Sequence, residues 1–92
     1  MTEVKRCRFT VHGRVQGVGY RQFAVHAARA EAVSGWVRNE LDGTVCGEVE
    51  GSTAGVEAFL DRLRQGPRWG KVARLDSADI DARGGAGFDV LV

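Results

Sequence analysis

The 92-residue sequence predicts an α+β sandwich in which two helices cover one face of a mainly antiparallel sheet. Three observations support this: an alternating apolar segment near the N-terminus, two segments with helical apolar spacing, and a hairpin signal between those two. The predicted order is β-α-β-β-α-β plus a short C-terminal strand. The length is enough for one hydrophobic core and too small for two, so we expect one domain over residues 1–92.

The first strand and the first helix are predicted from two different spacings of apolar residues. Residues 7–12 alternate apolar and polar, which is typical of a strand with one buried face. After a glycine-rich stretch, apolar residues recur at helical spacing, and the alanines of residues 24–32 favour helix. The residues expected to face the core are Cys7, Phe9 and Val11 in the strand and Phe23, Ala27 and Ala30 in the helix.

A hairpin and a second helix are predicted next. Residues 35–41 and 44–50 have strand character, and Asp42-Gly43 between them is typical of a tight hairpin turn. Either residue of Ser52-Thr53 is a candidate N-cap for a helix that ends at Gly66-Pro67. The apolar stripe expected on this helix consists of Val56, Phe59, Leu60 and Leu63.

The last elements are a looser strand over residues 71–81 and a final strand over residues 88–92. With two helices on one face, this order gives a sandwich of the ferredoxin-like type. In that topology the end of the first strand, the start of the first helix and the end of the second strand share one edge. Asn39, placed by alternation on the side of Val37 and Leu41, is therefore expected to meet Arg21 there.

The stretch between the first strand and the first helix is the candidate binding site. It reads Gly13-Arg14-Val15-Gln16-Gly17-Val18-Gly19-Tyr20-Arg21. A loop at a helix start presents free backbone N–H groups and the positive end of the helix dipole, and an arginine adds a two-pronged charged donor. Alone, such a loop is as often a simple turn, and its glycines do not fit the dinucleotide-binding spacing. The pattern predicts a phosphate or carboxylate site.

Charge and composition narrow the classes of function. Residues 1–40 carry a net charge of +4 and residues 41–92 a net charge of −3, so the half with the glycine loop should attract anions. An arbitrary arrangement of surface charge fits these counts equally well. No apolar run is long enough to span a membrane and no signal peptide is recognisable, so we expect a cytoplasmic protein.

Cysteine and histidine give no sign of a metal site. Cys7 and Cys46 are far apart and are expected to be reduced thiols. Together with His12 and His26 they lack the spacing of metal ligands.

Two motifs together resemble the signatures of the acylphosphatase family. Residues 13–21 resemble the first, and Gly35-Trp36-Val37-Arg38-Asn39 followed by Asp42-Gly43 resembles the second. The resemblance implies hydrolysis of acyl phosphates to a carboxylate and inorganic phosphate, without a metal or an organic cofactor. It implies that Arg21 binds the phosphate and that Asn39 positions the attacking water. It further implies a phosphate cradle of backbone N–H groups from Val15, Gln16, Gly17, Val18, Gly19 and Tyr20.

The expected partners follow from this resemblance. They are a small acyl phosphate as substrate and inorganic phosphate as product and competitive inhibitor, with no nucleic acid or membrane partner, and the protein is expected to be a monomer. RNA-binding modules share the element order, but residues 44–50 supply no aromatic residue, and Glu48 and Glu50 would repel a phosphate backbone. Acylphosphatase-like domains also occur within larger carbamoyl-transfer proteins; the short chain favours a free-standing enzyme.

Overall fold

The computed structural model describes residues 3–92 and confirms the predicted fold class, an α+β ferredoxin-like sandwich. The elements are β1 (Val4–Arg14), α1 (Tyr20–Glu31), β2 (Ser34–Asn39), β3 (Val45–Ser52), α2 (Thr53–Gln65), β4 (Lys71–Ile80) and β5 (Phe88–Val90). One sheet has the strand order β4-β1-β3-β2-β5. Neighbouring strands are antiparallel except β2 and β5, which run parallel. The edge strands are therefore β4, which pairs with β1, and β5, which pairs with β2.

The hydrophobic core lies between the sheet and the two helices. Phe9 of β1 meets Phe59 of α2 edge to face, with ring centroids 5.8 Å apart, and Phe59 contacts Phe88 of β5 at 5.4 Å. The stripe predicted for α2 is buried: Val56, Phe59, Leu60 and Leu63. Complete burial of a side chain of this size contributes about 2 kcal/mol. This stripe therefore fixes α2 on the sheet and, through Phe88, holds β5 beside β2.

The core face of α1 differs in part from the prediction. Ala27 is buried and Phe23 packs at the margin of the core, but Ala30 is exposed. The buried residues are Tyr20, Ala24, Val25, Ala27 and Ala28. In an alanine-rich helix several stripes are equally apolar, and Tyr20 decides between them. Its hydroxyl donates to the Leu63 carbonyl at 2.7 Å, which ties the start of α1 to the end of α2.

The hairpin between β2 and β3 is correct in place but wrong in length. Residues 40–44 form the connection, so the predicted strand 35–41 overran its end. Leu41 is fully exposed and does not lie on the face of Val37. The loop is closed by hydrogen bonds between its own polar groups, including Glu40 N to Thr44 O at 2.9 Å. Asp42 Oδ1 accepts from both the backbone N–H and the hydroxyl of Thr44. These bonds favour a wider loop than a two-residue turn.

The segment before β5 is anchored to the sheet by Glu50. This carboxylate accepts from the backbone N–H groups of Arg83 and Gly84 at 2.7 Å and 3.0 Å, and from Arg6 Nη1 at 3.0 Å. The Arg83 N–H is the largest of the interactions that lower the pKa of Glu50, with Arg6 also contributing. The anchor fixes the segment that enters β5, the strand that pairs with residues 35–37 of β2. No helix in residues 3–92 is long and apolar enough to span a membrane.

Candidate active site

Two glycines shape the loop between β1 and α1. Gly17 has φ +74° and Gly19 has φ +78°, in the left-handed region that other residues adopt only with strain. A Cβ added at either position would meet no atom within 4 Å, so conformation rather than space requires glycine. The loop therefore turns sharply into α1 and leaves its concave side open.

The N-terminus of α1 carries the positive end of the helix dipole, and no side-chain cap or acidic residue in the first turn offsets it. Its N-cap is Gly19, which has no side chain to accept from the first-turn N–H groups, and the first turn holds no acidic residue. The first helical bond runs from Phe23 N to Gly19 O at 3.0 Å. The N–H groups of residues 20–22 precede that bond and have no acceptor in the helix. The dipole adds positive potential at this point, which favours an anion.

Asn39 is the last residue of β2 and lies on the helix-covered face of the sheet. Val37, two positions earlier on that face, is completely buried. Within residues 3–92, Asn39 Oδ1 is the one buried side-chain nitrogen or oxygen atom without a hydrogen-bond partner. A buried acceptor left unpaired costs about 1–3 kcal/mol, so such groups are rare in folded proteins. Asn39 therefore presents an acceptor that the fold itself does not satisfy.

One pocket of about 270 Å³ contains both residues predicted to act in catalysis. Its wall is formed by Val15, Gly17, Gly19, Tyr20, Arg21, Gln22, Asn39 and Val90. The strand order thus brings Arg21 and Asn39 together, as expected from the topology. Val15 and Tyr20 are each 1% exposed and belong to the core, so they border the pocket from beneath its surface.

Two of the six predicted cradle residues, Gln16 and Val18, do not line this pocket. Val18 packs against the margin of the core. The Gln16 side chain points to the β2–β3 loop, where its Nε2 donates to Glu40 O at 2.7 Å and to Thr44 O at 2.9 Å. The motif predicts a role for the Gln16 backbone and none for this side chain. These two bonds join the glycine loop to the residue that follows Asn39, so they couple the two halves of the pocket.

Arg21 lies in the first turn of α1 with an exposed side chain. None of the ion pairs among residues 3–92 includes it. A guanidinium not engaged by a carboxylate keeps its donors for an incoming anion.

The thiols and histidines lie outside this pocket. Cys7 and Cys46 do not form a disulfide, and burial raises the pKa of Cys7 to about 11. The Cys46 thiol donates to Glu40 Oε1 at 2.8 Å, which is the first cause of the lowered pKa of Glu40. His12 pairs with Asp76 on β4. In the described part of the chain, no group of three His, Cys, Asp or Glu side chains could hold a metal ion.

Comparison with known protein sequences shows that the chain resembles acylphosphatases. The acylphosphatase family model matches residues 7–90. Acylphosphatase of Moorella thermoacetica is 45% identical over 85 residues, covering 92% of this chain and 91% of the relative. That of Salinibacter ruber is 46% identical over 77 residues, covering 84% and 78%. The crystal structure of acylphosphatase from Bacillus subtilis matches with a TM-score of 0.93 at 30% identity, covering 98% of this chain and 100% of that one.

Proposed function

The chain belongs to the acylphosphatase family, hydrolases of acyl phosphates, and we propose that it cleaves its substrate by in-line attack of water on a phosphate held by the glycine loop and Arg21. One observation supports this mechanism above all others. Two residues border the same pocket, at a helix N-terminus without a side-chain cap: the exposed Arg21, and Asn39, whose Oδ1 has no hydrogen-bond partner. A phosphate in this pocket would bind the Arg21 guanidinium, and a water molecule would donate a hydrogen bond to Asn39.

The phosphoryl group would bind on the loop side of the pocket. Backbone N–H groups of the four cradle residues that border the pocket, with that of Arg21 in the first turn, would donate to its oxygens, and the guanidinium would neutralise its charge. In phosphoryl transfer the charge spreads over the phosphoryl oxygens as the leaving group departs. Donors fixed in advance around those oxygens stabilise the transition state more than the ground state.

The water would bind on the opposite side, at Asn39. The Asn39 carbonyl oxygen accepts a hydrogen bond from the water and orients a lone pair towards phosphorus, but an amide is too weak a base to remove the proton. As the new oxygen–phosphorus bond forms, the bond between phosphorus and the acyl oxygen breaks and its electrons leave with the carboxylate. The proton of the water passes to phosphate or solvent. A carboxylate is a good leaving group, so no nucleophilic side chain is required.

The remaining expectations belong to the same proposal. Inorganic phosphate would occupy the cradle and inhibit competitively. The reaction would need neither metal nor organic cofactor. The enzyme would act as a cytoplasmic monomer without a nucleic acid or membrane partner.

Hydrolysis of benzoyl phosphate in the presence of a chelator tests the proposal. We expect turnover by the wild type and a loss of roughly 10³-fold in kcat/KM for Arg21→Ala, because removal of one fixed donor to a developing charge has effects of this order. Arg29→Ala is the matched control, since Arg29 is an exposed arginine in the last turn of the same helix. Absence of wild-type turnover, turnover abolished by the chelator, or equal activity of the two variants would contradict the mechanism.

A further inference from the structure

One wall of the active-site pocket has no role in the proposed handling of phosphate and water. It is formed by Val90 of β5, whose side chain is 39% exposed. The other two apolar residues of the pocket, Val15 and Tyr20, are each 1% exposed and fill the core. Among the described residues that line this pocket, Val90 is therefore the one apolar residue that is accessible to a ligand.

The sheet places Val90 beside the reacting centre. In the parallel pair of β2 and β5, Val90 lies opposite Val37, and Asn39 follows Val37 by two residues on the same face. Val90 thus lies diagonally across from Asn39, on the side of α1. The Leu91 N–H donates to the Val37 carbonyl at 2.8 Å and fixes this end of the chain on β2. The position of Val90 is therefore set by the backbone of the sheet.

The charges around the pocket limit what could lie against Val90. Among the described residues, Arg21 is the only one in the wall with a charged side chain. The phosphate would bind this guanidinium, which leaves no charged partner for the acyl group. The other polar side chains there are the neutral Gln22 and Asn39. A carboxylate or ammonium on the acyl half would lose hydration without gaining an ion pair, whereas an apolar group would gain from leaving water. At about 270 Å³ the pocket is also smaller than the roughly 300–1,000 Å³ of sites for drug-sized ligands.

We propose that Val90 forms the acyl-group subsite of the enzyme and that the preferred substrates are acyl phosphates with a compact, uncharged, apolar acyl group. This inference rests on the proposed function, since it places the acyl half of the substrate opposite the phosphate cradle. It assigns Val90 a role in specificity and gives it no part in the chemical step.

Leu91 provides a matched control. It follows Val90 directly, is an aliphatic residue with the same 39% exposure, and borders a different pocket together with Trp36 and Gly84. Val90→Ala and Leu91→Ala therefore remove similar apolar surface at the same strand end. Val90→Thr is a second variant that keeps the branched shape and strand preference while replacing a methyl group with a hydroxyl.

The experiment measures kcat/KM for benzoyl, acetyl and succinoyl phosphate, together with the inhibition constant of inorganic phosphate. For the wild type we expect benzoyl phosphate to be hydrolysed more efficiently than the carboxylate-bearing succinoyl phosphate. For Val90→Ala and Val90→Thr we expect kcat/KM for benzoyl phosphate to fall about fivefold, as befits the loss of one or two apolar contacts. The value for acetyl phosphate should change less than about twofold, and phosphate inhibition should not change.

The possible outcomes separate the two proposals. An equal fall for benzoyl and acetyl phosphate, an altered phosphate inhibition constant, or the same change in Leu91→Ala would overturn the subsite while leaving acyl phosphate hydrolysis in place. A wild-type preference for succinoyl phosphate would likewise overturn it. Absence of turnover on all three substrates would overturn the proposed function as well.

Discussion

The two helices begin in opposite ways. At the start of α2, the Ser52 hydroxyl accepts from the Gly55 N–H at 3.0 Å, which satisfies one of the free donors of the first turn. At the start of α1, Gly19 has no side chain, and its φ of +78° turns the chain away from the helix axis. Both first turns lack acidic residues. The free N–H groups of the first turn thus find a side-chain acceptor at α2 and none at α1, where we propose that a bound phosphate accepts from them.

The surroundings of the two helix N-termini also differ, since one is packed and the other borders a pocket. The start of α2 is packed against the end of α1, where a Cβ on Gly55 would lie 3.0 Å from the Glu31 carbonyl. The start of α1 borders a pocket that also contains the Arg21 side chain and Asn39. We therefore propose that the capped and packed terminus of α2 serves stability and that the uncapped terminus of α1, with Arg21 beside it, serves binding.

A carboxylate introduced at the α1 N-cap should abolish the anion site. Gly19→Asp places a negative charge where the phosphate would bind, whereas Gly19→Asn introduces nearly the same volume and backbone strain without charge. We expect kcat/KM for benzoyl phosphate to be about 100-fold lower in Gly19→Asp than in Gly19→Asn. Equal activity of the two variants would show that the α1 terminus is not where the phosphate binds.

Gln16 tests the coupling between the cradle and Asn39. Gln16→Leu removes both bonds from its side chain to the β2–β3 loop. We expect kcat to fall about tenfold because Asn39 is no longer held in place relative to the cradle. The inhibition constant of phosphate should change less than about twofold, since the backbone cradle remains.

Gln65→Leu is the control for Gln16, because Gln65 is exposed at the end of α2. Rescue of kcat by Gln16→Asn is not expected, since the shorter side chain does not reach the loop carbonyls. If Gln16→Leu lost kcat and phosphate affinity by the same factor, the glycine loop as a whole would be destabilised. That result would contradict a role of Gln16 in positioning Asn39.

Ser52 should matter for stability alone. Ser52→Ala removes the α2 cap, and we expect a loss of about 1 kcal/mol, or a Tm lowered by about 4–8 °C, with kcat/KM at low temperature unchanged. Ser77→Ala, at an exposed position in β4, should change neither quantity. If Ser52→Ala reduced turnover while the protein remained folded, the division between a structural and a functional terminus would be wrong.

Much of this contrast is visible in the sequence. Ser52-Thr53 before an apolar stripe predicts a capped helix, and Ser52 is the residue that caps it. The glycines of residues 13–21 predict an open turn, and Gly17 and Gly19 adopt the φ values that require glycine. Strand order alone brings Asn39 towards Arg21. These features were predictable because they depend on local backbone preferences and on the connectivity of a few elements.

Other features depend on tertiary contacts that local patterns do not encode. The register of α1 is decided by the Tyr20 hydroxyl bond to Leu63, so Ala30 was wrongly assigned to the core. The length of the hairpin loop depends on hydrogen bonds within residues 40–44. Val90 enters the pocket only because a short C-terminal strand pairs in parallel with β2. The apolar wall of the pocket could not be inferred from one sequence.

The central claim is that phosphate binding and water positioning belong to different residues of one pocket. Calorimetric titration with inorganic phosphate, combined with benzoyl phosphate turnover, tests it most directly in Arg21→Ala and Asn39→Ala. We predict that Asn39→Ala loses about 10³-fold in kcat yet binds phosphate within about twofold of the wild type, whereas Arg21→Ala loses both. A loss of phosphate affinity in Asn39→Ala as large as its loss of turnover would contradict the claim.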